Sequence, residues 1–206
     1  MNSQTEKKLI AGPAGAIECA LDLPGADVVP RGLALICHPN PTQGGTMDNK
    51  VVQTLARAFL QLGYRAVRFN FRGIGGSGGG WDEGRGEIDD ALAVLSAYRN
   101  VDEPLLLAGF SFGGYIASRA AERLPEGQKA ERLVLVGPAT SRFDTATVPA
   151  DTLVIHGEVD DVVPLSAVLD WARPQSLPIV VVPGVGHFFH GQLPLLKNLV
   201  VRAFAA

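Results

Sequence analysis

The sequence predicts an α/β fold in which a mostly parallel sheet of seven or eight strands carries helices on both faces. Three observations lead there. Short apolar runs alternate along the chain with stretches of helical spacing, as βαβ units with right-handed crossovers require. Several of the runs, such as Leu33-Ala-Leu-Ile-Cys37, are apolar at every position, the pattern of a strand buried on both sides. Glycine and proline mark the boundaries between the two kinds of segment.

In chain order, residues 7–10 and 16–21 are β-like and flank Gly12-Pro13-Ala14-Gly15, which predicts an antiparallel hairpin or pair of edge strands. The strand 33–37 is halted by His38-Pro39-Asn40-Pro41. Residues 48–62 place Val51, Val52, Leu55, Phe59 and Leu62 at helical spacing, with Asp48 or Thr46 as the expected N-cap and Gly63 past the end. A strand at 66–71, a helix at 87–98, a strand at 105–108 and a helix to about 124 follow. The remaining elements are strands at 133–136, 152–156 and 179–182 and helices at 165–171 and 193–204. There is no repeat and no linker, so residues 1–206 read as one domain.

Composition narrows the function. A chain of 206 residues can bury roughly 70% of its unfolded surface. A net charge of −3 and a pI near 5.8 supply no basic footprint for nucleic acid or an anionic membrane. Cys19 and Cys37 lie in different strands and form neither a disulfide framework nor a C-x-x-C pair, so buried free thiols are expected. The polar N-terminus lacks the apolar core of a secretory signal and no run is long enough to span a bilayer, which reads as a cytoplasmic chain, monomeric or homodimeric.

The chemistry centres on Leu105-Leu-Leu-Ala-Gly109-Phe-Ser111-Phe-Gly113, an aliphatic strand that ends at a glycine-flanked serine and passes at once into an Ala-rich helix. Such a strand-turn-helix strains the serine backbone and exposes its Oγ, while the Phe112 N–H, in the first helical turn, has no partner within the helix. Serine is a weak nucleophile unless a base takes its proton and a carboxylate orients that base. His187, in the glycine-bearing loop Val182-Pro-Gly-Val-Gly-His187, is the assigned base. His156 reads instead as a buried structural residue, His38 as a brace for its loop, and His190 as a flank of the last helix. Asp160 in His156-Gly-Glu-Val-Asp160-Asp161 is the assigned acid, with Asp161 left as a solvated residue near the next helix.

The order Ser111, Asp160, His187, together with Gly109-Phe-Ser111-Phe-Gly113, His156-Gly-Glu-Val-Asp160 and Gly186-His187-Phe-Phe, resembles the α/β-hydrolases. The segment His38-Pro-Asn-Pro-Thr-Gln-Gly-Gly-Thr-Met47 is similar to that of short bacterial members without a lid, near the dienelactone-hydrolase and acyl-peptidase branches, although dienelactone hydrolases proper use cysteine where this chain has serine. The resemblance implies an α/β-hydrolase fold with no lid domain, since only residues 137–151 separate the strands between which larger relatives insert one. It also implies a second oxyanion donor after the first parallel strand, and the Asn40 N–H is the candidate because Pro39 and Pro41 have none. The implied activity is cleavage of a small acyl ester or thioester, a carboxylesterase-like reaction without cofactor or metal. Phe110, Phe112, Phe188 and Trp81 are then candidate walls of a shallow site.

Two other chemistries are weaker. Gly73-Ile-Gly75-Gly-Ser-Gly78 matches G-x-G-x-x-G, but a polar stretch separates it from the next helix and the following strand ends without a ribose-binding acid, which argues against a dinucleotide. His187-x-x-His190 lacks the carboxylate companion a metal site needs. A hydrolase-like binding module without activity is the alternative from a different class.

Overall fold

The computed structural model describes residues 5–100 and 102–204. It contains one eight-stranded sheet in the order β1-β2-β4-β3-β5-β6-β7-β8. The strands are β1 (Thr5–Gly12), β2 (Gly15–Asp22), β3 (Leu33–Cys37), β4 (Arg65–Phe69), β5 (Leu105–Phe110), β6 (Arg132–Val136), β7 (Leu153–Gly157) and β8 (Ile179–Val182). The hairpin β1-β2 and the β2-β4 pair are antiparallel, and every pair from β4 to β8 is parallel. The helices are α1 (Lys50–Gln61), α2 (Arg85–Tyr98), α3 (Phe112–Arg123), α4 (Leu165–Ala172) and α5 (Leu193–Phe204).

Strand alternation splits the core in two, because successive side chains point to opposite faces. Leu33, Leu35 and Cys37 face the cluster built with α2, α3 and α4, whereas Ala34 and Ile36 face the one built with α1 and α5. This sandwiching explains why the central strands are apolar at every position. Cys19 and Cys37 are free and buried. Among the described residues no helix is long and apolar enough to cross a membrane.

Two local expectations are corrected. The N-cap of α1 is Asn49, not Asp48 or Thr46: its side-chain oxygen accepts the Val51 N–H at 2.8 Å. Thr46 Oγ1 instead accepts the Asp48 N–H, one turn earlier, and Asp48 is drawn to the Arg68 guanidinium at 3.0 Å. Strand β5 runs two residues further than its apolar core, through Phe110, so the serine follows directly on sheet backbone.

The chain leaves β3 for β4 on one side and returns to β5 on the other, so the order reverses between β3 and β5. Ligands bind α/β sheets beyond the carboxyl ends of strands at such a reversal. Cys37 pairs with Gly109, which sets the His38–Asn40 loop beside Ser111.

Candidate active site

Ser111 sits at φ 57°, ψ −119°, a backbone conformation that L-residues rarely adopt. The turn exists because the backbones nearly touch. A Cβ on Gly109 would overlap the Gly113 carbonyl oxygen, and a Cβ on Gly113 would overlap that of Cys37 on the neighbouring strand. The Ser111 N–H donates to the Val136 carbonyl at 2.9 Å and the Ala139 N–H donates to the Ser111 carbonyl at 3.2 Å, so the ends of β5 and β6 hold the strained residue from both sides.

Asp160 and His187 meet across 27 positions of sequence. The His187 Nδ1–H donates to Asp160 Oδ2 at 2.6 Å, with both side chains buried. The other carboxylate oxygen, Oδ1, accepts the N–H groups of Val162 at 2.9 Å and Val163 at 2.7 Å. Burial opposes ionisation of Asp160, but hydrogen bonds from His187 and from the Val163 and Val162 amides, with the attraction of His187, outweigh it and hold the carboxyl below its ordinary range. Gly137 leaves room for the pair: a Cβ there would lie 3.3 Å from His187 Cε1 and 3.5 Å from Asp160 Oδ2. The imidazole rests on Phe110, ring centroids 4.8 Å apart.

Ser111 and His187 line the same cleft, of about 270 Å³, with Pro39, Asn40, Gln43, Gly44, Gly45, Asn49, Arg142, Asp161, Val162 and Phe188. Ser111 Oγ makes no hydrogen bond among the described residues, to His187 or to any other group. At the helix start the Phe112 N–H has no intrahelical acceptor, and among the loop hydrogen bonds neither it nor the Asn40 N–H is used as a donor. The Asn40 side chain is engaged elsewhere, since its Oδ1 accepts the Thr42 N–H at 2.9 Å and caps the short turn Pro41–Gln43.

His38 and His156 are buried and hydrogen-bonded to backbone, as their sequence context indicates. Phe71 N–H donates to His38 Nε2 at 3.0 Å, so the proton sits on Nδ1, which donates to the Pro39 carbonyl at 2.7 Å. Burial pulls its pKa down to about 4, against the pull of that carbonyl. His156 donates from Nε2 to the Val163 carbonyl at 2.9 Å and is likewise kept neutral by burial. His190 is exposed and precedes α5.

Of the expected wall residues only Phe188, 44% exposed, lines the cleft. Phe110 is fully buried beneath the His187 and Phe188 rings, because the last residue of β5 points its side chain into the α1-α5 core. Trp81 packs against Phe112, centroids 5.0 Å apart, and is not part of the cleft lining. Phe112 is itself buried among Phe71, Tyr115 and Phe143 and contributes only its backbone. Sequence reasoning gave no role to Gln43, Asn49, Arg142 or Val162, although Gln43, Asn49 and Val162 lie within or beside the segments that carry the resemblance; Arg142 alone sits outside them. The glycine loop is occupied from within: the Gly76 N–H and Asn70 Nδ2 both donate to Glu18 Oε2 at 2.8 Å, so a carboxylate of β2 fills the place a phosphate would take. Arg72 braces α2 through Asp90 and the Gly86 carbonyl.

Comparison with known proteins agrees with this architecture. The sequence model of the family described as serine aminopeptidase, S33, matches residues 30–142, which include the nucleophile turn but neither Asp160 nor His187. An uncharacterized protein of Rickettsia prowazekii is 32% identical over 195 residues, covering 86% of this chain and 79% of that one. A lysophosphatidylserine lipase of Gallus gallus is 37% identical over 111 residues, 52% of this chain but 28% of its own length. The crystal structure of a serine hydrolase without lid from Xanthomonas campestris superposes with a TM-score of 0.88 at 39% identity, covering 98% of this chain and 94% of that one. An α/β serine hydrolase homologue from Coxiella burnetii gives 0.84 at 39% identity, with both chains covered completely. On these matches the chain belongs to the serine aminopeptidase S33 family and is an α/β serine hydrolase of the small, lidless kind described from bacteria.

Proposed function

We propose that the chain cleaves small acyl esters or thioesters through an acyl-enzyme on Ser111. Ser111 Oγ attacks the acyl carbonyl while His187 Nε2 takes its proton; the imidazolium that forms keeps its Nδ1–H on Asp160. The N–H groups of Asn40 and Phe112 receive the oxyanion, each donor accounting for about 2.7–4 kcal/mol of transition-state stabilisation. Collapse breaks the bond to the leaving group, which departs with the proton from Nε2. Water, deprotonated in turn by His187, then releases the acid and restores Ser111.

The observation that carries this reading is the buried 2.6 Å contact between Asp160 and His187 on the cleft that holds Ser111. A buried carboxylate aimed at Nδ1 leaves Nε2 free to act as a base, which a binding module has no use for. The cleft volume of about 270 Å³ lies just below the roughly 300–1,000 Å³ typical of ligand pockets and suits a short acyl group. The likeness to a lysophosphatidylserine lipase is compatible with an ester carbonyl.

Labelling with a fluorophosphonate tests the reading. An adduct on Ser111, with hydrolysis of p-nitrophenyl acetate lost in Ser111→Ala, is expected. No adduct on a folded chain would favour the binding module instead.

A further inference from the structure

Arginines in this molecule are mostly committed to partners. Arg65 pairs with Glu103, Arg68 with Asp22, Arg72 with Asp90 and Arg119 with both Asp144 and Glu122. Arg142 is different. It is exposed on the lining of the cleft that contains Ser111, and among the described residues its guanidinium makes neither an ion pair nor a hydrogen bond.

Local structure accounts for this. The segment after β6 turns back on itself, with the Arg142 and Phe143 N–H groups both donating to the Ala139 carbonyl at 3.1 Å. Phe143 anchors it, packing on Phe112 at 4.9 Å and Tyr115 at 5.0 Å. Asp144, the nearest carboxylate in sequence, is paired with Arg119. The base of the Arg142 side chain is therefore held and its fork is left without a carboxylate.

The cleft offers further donors but one acid. Asn49 spends its Oδ1 on the α1 cap, leaving its NH₂ group, and Gln43 brings a second amide. Asp161 is exposed on the same lining and, like Arg142, has no ion-pair partner among the described residues, so the two charges do not neutralise each other. On a chain of net charge −3 this cation is not part of a general basic surface.

We propose that Arg142 selects acyl esters bearing an oxyanion, a carboxylate or a phosphate-type group, on the part of the substrate away from the scissile carbonyl. Its planar fork matches either anion with two parallel hydrogen bonds. Asp161 opposes the same anion and limits the preference. This inference rests on Ser111 being the nucleophile, as proposed above.

The test compares kcat/KM for p-nitrophenyl hemisuccinate, and for the p-nitrophenyl ester of 3-phosphonopropanoate, with that for neutral p-nitrophenyl valerate. In Arg142→Gln the ratio of charged to neutral ester is expected to fall roughly ten-fold in at least one arm, the arm naming the anion. In Asp161→Asn the ratio is expected to rise, and in the wild-type chain it should shrink as salt screens the exposed charge. An unchanged ratio in both arms of Arg142→Gln overturns the assignment. Fluorophosphonate labelling separates the two levels: an adduct on Ser111 with no change of ratio removes Arg142 alone, whereas a folded chain without an adduct removes the proposed function and this inference with it.

Discussion

Asp160 reaches His187 with one carboxylate oxygen while the amides of Val162 and Val163 hold the other. Three hydrogen bonds thus fix both the orientation of the carboxylate and the tautomer of the imidazole. Asp160→Asn replaces one oxygen by an NH₂ group. Where the amide turns that group toward Nδ1, the ring must place its proton on Nε2 and cannot act as a base. By analogy with serine proteases, kcat for p-nitrophenyl acetate is expected to fall about 10⁴-fold with the circular dichroism spectrum intact. A loss of less than ten-fold would detach Asp160 from the chemistry.

Gly137, at φ 49°, leaves the space beside the pair open. Gly137→Ala puts a methyl group 3.3 Å from His187 Cε1 and forces an L-residue into the left-handed region. The imidazole must give by a few tenths of an ångström, and since a displacement near 1 Å at a reacting group costs about 10²-fold in rate, a few-fold loss is expected. Steady-state kinetics alongside a thermal melt should show kcat falling by that factor and stability by about 1–2 kcal/mol.

Acid should destabilise the fold through His38. Its folded-state pKa of about 4 lies below the ordinary 6.5, so the unfolded chain binds the proton first. The resulting stability is present in full above pH 6.5 and declines through about pH 4, a loss of about 3 kcal/mol across the window. Burial of His156 acts with the same sign in this window, whereas the depressed pKa of Asp160 adds its loss only below the ordinary carboxylate range near pH 4. Urea midpoints measured at pH 7.5 and pH 4.5 should differ accordingly, and the difference should shrink in His38→Gln; equal shrinkage in an Asn100→Gln control would remove His38 as the cause.

Asn49→Ala removes the cap on α1 and leaves the Val51 N–H without its acceptor. A loss of about 1 kcal/mol is expected, which for a chain of this size lowers Tm by about 2–4 °C. Asn49→Asp keeps the acceptor and should retain most of that stability in calorimetry.

Much of the fold is legible in the sequence because its causes are short-ranged. Every strand and helix core is readable from periodicity, and Gly109-Phe-Ser111-Phe-Gly113 is legible because a strand-turn-helix this tight admits only glycine at its flanks. One boundary, the start of α1, shifted for a tertiary reason. Asp48 looks like a cap but is drawn to Arg68, which leaves Asn49 to cap the helix.

The sequence by itself determined the succession of strands and helices along the chain and the glycine-flanked turn that strains Ser111. Only the tertiary structure decided which aromatic rings face the cleft and which arginine stands free in it. Phe110 and Phe188 are equally apolar in one dimension, yet one lies under the imidazole and the other on the cleft. Arg142 makes no ion pair among the described residues, while Asp144, two positions on, pairs with Arg119. Whether a side chain is spent on the fold or left for a ligand depends on competitors that folding brings close, and spacing along the chain does not reveal them.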